Sequence, residues 1–398
     1  MIDHTRDPRE TWITGIGIVS SLGDGLEANW SALKQRRVNI DREAFAPWMV
    51  HPVVPLDFDA QIPKKGDQRQ MQAWQRIGTY AAGLALDSAG IKDDGKILAR
   101  TDMIVAAGGG ERDLAVDSAI LTARSAGNFE PAALNKRLMN DLRPTLFLAQ
   151  LSNLLAGNIS IVHGVSGSSR TFMGEEAAGM DAVRVAWAKI QAGQSEIALV
   201  GAAQNAERKE MLMLYECGGF NLKEQSSSVW SRNGGGFVLG SGGVFLVLES
   251  KSHAQSRGAV PFAKLASVVS GHSSRSARSG VKAVLGGLWE TLGATEAPSA
   301  IVTAASGAGA SVAEEVAFLS DHAGIPVRAV GTSFGHLAEA QFPLALAMSA
   351  LSISRGELFP PNDPSGFEAE TKEKPARIVV VGVGHWRGEG MALVETVT

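Results

Sequence analysis

Few residues in this 398-residue chain could carry reactive chemistry. The one cysteine, Cys217, follows Met211-Leu-Met-Leu-Tyr-Glu216 and lies outside any nucleophile elbow. It reads as a packed small hydrophobe, not as an attacking thiol. A single cysteine also excludes an intramolecular disulfide framework and a multi-cysteine metal site. The chain has eight histidines, and His51, His163 and the others show no metal-ligand spacing, so no metal and no cofactor is expected. The stretch Gly234 to Gly243 could pass for a phosphate loop, but it lacks the Gly-Lys-[Ser/Thr] ending that reaches the phosphates.

The elements that must position any site are clearer. Trp12–Val19, Asp102–Ala106, Glu196–Val200, Val244–Leu248, Ala300–Thr303 and Ile378–Val381 are short apolar runs without alternation. Such runs indicate strands covered by helices on both faces. Helices are expected over Leu26–Arg36, Gly78–Ala89, Pro144–Leu155 (apolar on most faces, hence buried), 177–190, Ala308–Ser320 and Ala338–Ser352. Met180, Val183, Trp187 and Ile190 fall at helical spacing on what reads as one buried stripe. The 45 glycines cluster beside the β-branched runs, which points to tight strand ends and not to flexible linkers. Asn221–Ser231 is mostly polar and reads as a mobile loop. The pattern divides into two α/β halves, 1–255 and 256–398.

Composition narrows the function classes. Against 41 acidic residues stand 37 basic ones, a net charge of −4 that excludes a nucleic-acid-coating protein and leaves no polybasic membrane arm. The first residues, Met1 to Arg9, are polar and carry no apolar signal region. Ala340–Ile353 is the most apolar stretch; it is too short to span a bilayer and contains Pro343. A cytoplasmic setting without an integral membrane segment is the expectation.

Three stretches carry a family resemblance: Ile13-Thr-Gly-Ile-Gly-Ile-Val-Ser20, Gly236 to Glu249, and Gly335-His336 heading an Ala-rich helix. Over about residues 11 to 394, the order and spacing resemble the elongating, type II β-ketoacyl-[acyl carrier protein] synthases. That resemblance implies a thiolase-like α/β fold of two related halves in five layers (αβαβα), built as a dimer. It also implies a reaction. A cysteine thiolate at a helix N-terminus takes the acyl chain. Two histidines stabilise the enolate left by decarboxylation of a malonyl thioester, and a lysine and a Gly-Phe-Gly-Gly loop support them.

Carried over position by position, the resemblance finds that machinery altered. Counting inward from Leu155–Gly167 and from Gln191–Ala203 puts the nucleophile position at Glu176, in Glu176-Ala-Ala-Gly179. The first histidine position falls on Ala305 and the lysine position, five residues before the second histidine, on Gly331. The second histidine is retained as His336, which reads either as a relic donor or as a satisfied core histidine. The gating loop reads Gly384-His385-Trp386-Arg387. A carboxylate cannot replace a transferable thiolate, because the acyl anhydride hydrolyses far faster than a thioester. Losses within one catalytic set are also severe and non-additive.

The chain therefore resembles a chain length factor, a non-condensing partner of an active synthase that shapes a shared acyl tunnel. Within the family, Gln61–Met71, Arg143–Asn153 and Ser169–Glu176 are similar to the second synthase of the lipid A very-long-chain fatty acid pathway. The partners so implied are an acyl carrier protein and an active synthase, or a second copy of this chain. Lys64, Lys65, Arg69 and Arg76 are candidate carrier-docking cations. Two rival readings stand beside this one. The first is an active synthase, acyltransferase or malonyl decarboxylase using Glu176 and His336. The Glu176 charge, which repels a malonyl carboxylate, and the missing imidazole at 305 count against it. The second is a homodimeric acyl-binding protein.

Overall fold

The computed structural model describes residues 9–127, 130–142, 146–223, 228–232, 234–275, 280–293 and 297–397. Ten strands organise it. In the first half these are β1 (Thr11–Val19), β2 (Asp102–Ala106), β3 (Ser169–Phe172), β4 (Ile197–Gln204) and β5 (Gly242–Ser250). In the second half they are β6 (Ala263–Gly271), β7 (Ala300–Thr303), β8 (Val327–Ala329), β9 (Arg377–Val383) and β10 (Glu389–Glu395). The first half is ordered β3-β2-β4-β5-β1 and the second β8-β7-β9-β10-β6, so the same order recurs five strands later. The directions recur as well. β2 is parallel to β3 and β4, and β7 is parallel to β8 and β9. The β4–β5–β1 and β9–β10–β6 steps are antiparallel. The halves join through a short antiparallel pairing of Thr11–Ile13 with Ala263–Leu265.

Six helices cover these strands: α1 (Ala73–Ser88), α2 (Leu154–His163), α3 (Glu175–Gln191), α4 (Gly280–Thr291), α5 (Gly309–Ser320) and α6 (Gln341–Arg355). The core divides into layers. Ile16, Ile18, Val200 and Leu246 from the first half and Ile378, Val380 and Val394 from the second enclose α3 and α6 in one cluster. On the other face of the first half, Val105, Leu199 and Val247 pack with Ile77 and Leu86 of α1 and Leu155 and Ile159 of α2. On the outer face of the second, Ile301, Val379 and Met391 pack with Leu285 of α4 and Phe318 of α5. Helices, sheet, helices, sheet, helices follow in that order, which gives the five expected layers. Burial on both faces explains why the strands read as unbroken apolar runs.

Four local expectations need correction. Pro144–Leu155 is not one buried helix: 143–145 lie outside the described residues, and the rest is a short helix Leu146–Ala149, a break, and the start of α2. Phe147 is 71% exposed. Ala338–Ser352 is a short 3-10 turn, Ala338–Ala340, followed by α6, with Pro343 in the first turn where no intrahelical N–H is required. Trp187 is half-buried, its indole N–H donating to the Leu265 carbonyl at 3.2 Å. In Asn221–Ser231, Ser228 and Val229 are buried, so that part is packed, and 224–227 lie outside the described residues. Among the described residues, no helix is long and apolar enough to cross a membrane.

Candidate functional site

The site forms where the two central helices begin, each entered from a parallel edge strand. After β3 the chain turns through Gly174 and Glu175 into α3. Gly174 has φ +138, a conformation closed to side chains, and a Cβ there would come within 3.1 Å of the Arg387 guanidinium. Glu175 follows with φ +56, uncommon for a non-glycine residue. Its carboxylate is held by the Tyr215 hydroxyl, which donates to Oε1 at 3.1 Å. Together these turns swing Glu176, the next residue, into the interior, where it is 3% exposed.

Two histidines from distant parts of the chain meet Glu176. His385 stands in the turn between β9 and β10, which is closed by the Gly384 N–H donating to the Gly388 carbonyl at 2.9 Å. Its Nδ1 lies 2.8 Å from Glu176 Oε1, and its backbone N–H donates to the same oxygen at 3.2 Å. His336 precedes α6. Its N–H donates to the Val238 carbonyl at 2.8 Å, and its own carbonyl accepts from Gly240 N–H at 2.9 Å. Its Nε2 faces Glu176 Oε1 at 2.9 Å as an ion pair, and its Nδ1 has no hydrogen-bond partner among the described residues. The backbone of His336 is thus satisfied, and its ring is held through Glu176. Phe237 lies 4.4 Å from the His336 ring, and Phe220 and Tyr215 lie 4.5 and 5.6 Å from the His385 ring. This aromatic wall keeps water away from the trio.

Charge settles accordingly. Burial alone would raise the Glu176 carboxyl, but His336 and His385 outweigh it and hold it well below the usual carboxylate range. Burial pushes the His385 imidazole down and the Glu176 charge pushes it up further, for a net rise. Chemically, this carboxylate is a stabilised anion clamped by its neighbours, the opposite of an activated nucleophile.

The remaining positions lie nearby. Ala305 is fully buried and packs with Val229, Ala329 and Trp230. Gly331 abuts it: a Cβ at 331 would sit 2.3 Å from the Ala305 carbonyl oxygen and 3.3 Å from Val229 Cγ1. Ala305 is enclosed by apolar packing, and at 331 a backbone carbonyl and Val229 leave no room for a side chain. Trp386 is 62% exposed, at the outer side of His385, and its ring lies 6.3 Å from Phe220. Cys217 needs correction, because it is exposed at the end of the helix Lys209–Cys217. That helix turns Leu212 and Tyr215 inward, which leaves Cys217 outside.

Sequence reasoning missed two buried acids. Glu315 on α5 accepts a hydrogen bond from the Thr303 hydroxyl, and burial pushes its carboxyl up to about 7. Glu339 is likewise raised to about 7, by burial and then by the charges of Glu175 and Glu176. Neither sits in a motif; only the fold makes them interior. Glu176–His385 was equally hidden, as 209 residues separate the pair.

A repeated five-strand half, two central helices and a site at their N-termini define a thiolase-like ketosynthase fold. Structural neighbours agree. The ishigamide ketosynthase/chain length factor superimposes with a TM-score of 0.80 at 21% identity, covering 98% of this chain and 100% of that one. A beta-ketoacyl synthase from Burkholderia phymatum STM815 gives 0.79 at 19%, with the same coverage. The family model described as Beta-ketoacyl synthase, N-terminal domain matches residues 9–254. The chain belongs to the beta-ketoacyl synthase family. Among its relatives, 3-oxoacyl-[acyl-carrier-protein] synthase 2 of Vibrio harveyi is 28% identical over 273 residues, 65% of this chain and 61% of that protein. The chain thus spans about three-fifths of the length of that relative. The tetracenomycin polyketide synthase ketoacyl synthase beta subunit of Streptomyces glaucescens is 28% identical over 391 residues, covering 91% of this chain and 90% of that protein.

Proposed function

We propose that this chain is a non-condensing ketosynthase-family subunit that pairs with a condensing β-ketoacyl synthase, receives its carrier protein and helps set acyl length. The observation that carries this reading is Glu176, ionised and held between His336 and His385, beside Ala305 and Gly331 packed shut by Val229. A carboxylate so stabilised does not attack a thioester. With no imidazole at 305 and no lysine at 331, a malonyl enolate lacks its second oxyanion donor. Similarity to the tetracenomycin polyketide synthase ketoacyl synthase beta subunit over nearly the whole chain supports the subunit role. The finer assignment, elongation of the very-long-chain fatty acid of lipid A in the cytoplasm, rests on the runs 61–71, 143–153 and 169–176.

A partner face is part of the proposal. Among the described residues β3 is an edge strand, bonded only to β2, and an open edge is a template for pairing with another chain. Met173, which directly follows it, and Ile161, on the α2 helix that packs against it, are 63 and 71% exposed, apolar side chains of the kind that mark an interface. Lys64 and Arg69 are exposed and remain candidates for carrier docking; Lys65 pairs with Asp59, and Arg76 lies over the Phe58 ring. Co-expression with a cysteine-bearing synthase is expected to give a stable heterodimer by size exclusion and pull-down. Ile161→Asp combined with Met173→Asp is expected to weaken it at least tenfold, with the chain still folded. A homodimer that ignores the synthase would support the acyl-binding reading instead.

A further inference from the structure

We propose that Glu176, His336 and His385 form a binding site for one divalent transition-metal ion of the zinc class. This goes beyond the partner role above and stands or falls separately from it. The donor set is one carboxylate and two imidazoles, brought together from α3, the loop before α6 and the β9–β10 turn, and their ligand atoms all lie within 4.8 Å of one another. A zinc-class ion bonds such groups at about 2.0–2.2 Å. Neighbouring ligand atoms around it are then about 3.0–3.5 Å apart, as these bond lengths require. The carboxylate oxygen lies 2.8 and 2.9 Å from the two facing nitrogens and draws back by a few tenths of an ångström, while the donor atoms, which span up to 4.8 Å, close around the ion.

A second observation comes from His336. It is 1% exposed, its Nδ1 has no hydrogen-bond partner among the described residues, and its Nε2 faces the Glu176 carboxylate at 2.9 Å. A buried imidazole so sparsely partnered is costly, and the fold retains it. Coordination by Nε2 adds a bond that offsets that cost. The surroundings of His385 fit the same reading. It turns Nδ1 inward and Nε2 outward, and Nε2 lies 3.7 Å from Glu175 Oε2, whose carboxylate the Tyr215 hydroxyl steadies. A carboxylate behind the far nitrogen of a liganding histidine orients the ring and raises its basicity. Two nitrogen donors favour zinc, cobalt or nickel over magnesium or calcium, which take oxygen ligands. A bound ion would tie together the starts of both central helices and the turn beside them.

The test is calorimetric titration of the chelator-stripped full-length chain with Zn²⁺, and with Co²⁺ read by its visible d–d absorption. One equivalent is expected to bind per chain, with an upward shift in melting temperature that Mg²⁺ does not reproduce. Glu176→Gln and His336→Ala, each folded by circular dichroism, are expected to abolish the Co²⁺ band. Glu175→Gln is expected to weaken binding about 10- to 100-fold. His322→Gln, at a ring stacked on Trp289 outside the site, is expected to bind as wild type. Absence of stoichiometric binding by the folded wild-type chain would overturn the proposal, as would binding that both Glu176→Gln and His336→Ala leave intact.

Discussion

Replacing Gly331 by lysine, the residue the condensing relatives are expected to carry there, should cost this chain about 4 kcal/mol or more, the range of severe core lesions. The first atom a Cβ meets is the backbone oxygen of Ala305, at 2.3 Å, which cannot rotate away. Beyond it Val229 Cγ1 closes the space, and Gln341 Nε2 lies 3.4 Å from the same point. The ammonium would then enter a buried pocket of Val229, Ala305, Ala329 and Trp230, where the Glu368 carboxylate already accepts from the Trp230 indole and the Ala329 N–H. Gly331→Ala isolates the steric part and is expected to cost about 1–3 kcal/mol. Val229→Ala should not rescue either variant, because the backbone clash remains. Urea unfolding midpoints measure all three. Wild-type stability in Gly331→Lys would mean that the pocket reopens easily and that the missing lysine is no barrier to catalysis.

Removing the carboxylate of Glu176 is expected to cost about 3–5 kcal/mol near pH 6, because it leaves the buried His385 imidazole without its counter-charge. The pH dependence follows from the directions of the shifts. Glu176 has its folded pKa below its unfolded value, so its contribution is present above the unfolded value, about 4.5, and is lost as pH falls through the folded one. His385 has its folded pKa above its unfolded value. Its contribution is present below about 6.5 and is lost as pH rises through the folded pKa. The stability difference between wild type and Glu176→Ala should therefore be greatest between about pH 5 and 6.5 and shrink on both sides, most steeply in acid. A difference that does not vary with pH would show that the trio is held by packing alone. Glu176→Gln, which keeps shape and loses charge, should show the same loss of pH dependence with a smaller stability cost.

How far the sequence carried this account depends on the distance between the residues that matter. Val379 and Leu248 could be assigned to covered strands from their neighbours alone, since burial on both faces leaves a local mark. The doubled strand order was not legible, because the halves share geometry without sharing a repeat of residues. Glu176 was found by counting between matched flanks. Its partner His385 was read only as part of a gating turn, because nothing in Gly384-His-Trp-Arg387 announces a carboxylate from 209 residues away. Val229 was assigned to a polar loop by its serine neighbours, yet it fills the space at Ala305 and Gly331. Phe147 was placed inside for being apolar, yet it is 71% exposed, since an apolar run does not itself show which of its residues the fold leaves at the surface.

The central claim, that the clamped acid at 176 neither accepts an acyl chain nor drives decarboxylation, has a direct test. The purified chain, free of any other synthase, is incubated with acyl-carrier protein and malonyl-carrier protein, and carbon dioxide, 3-ketoacyl product and acyl-enzyme mass are followed together. The account predicts none of the three above the no-protein background. Carbon dioxide or ketoacyl product that appears with the wild-type chain and vanishes in Glu176→Gln would contradict it.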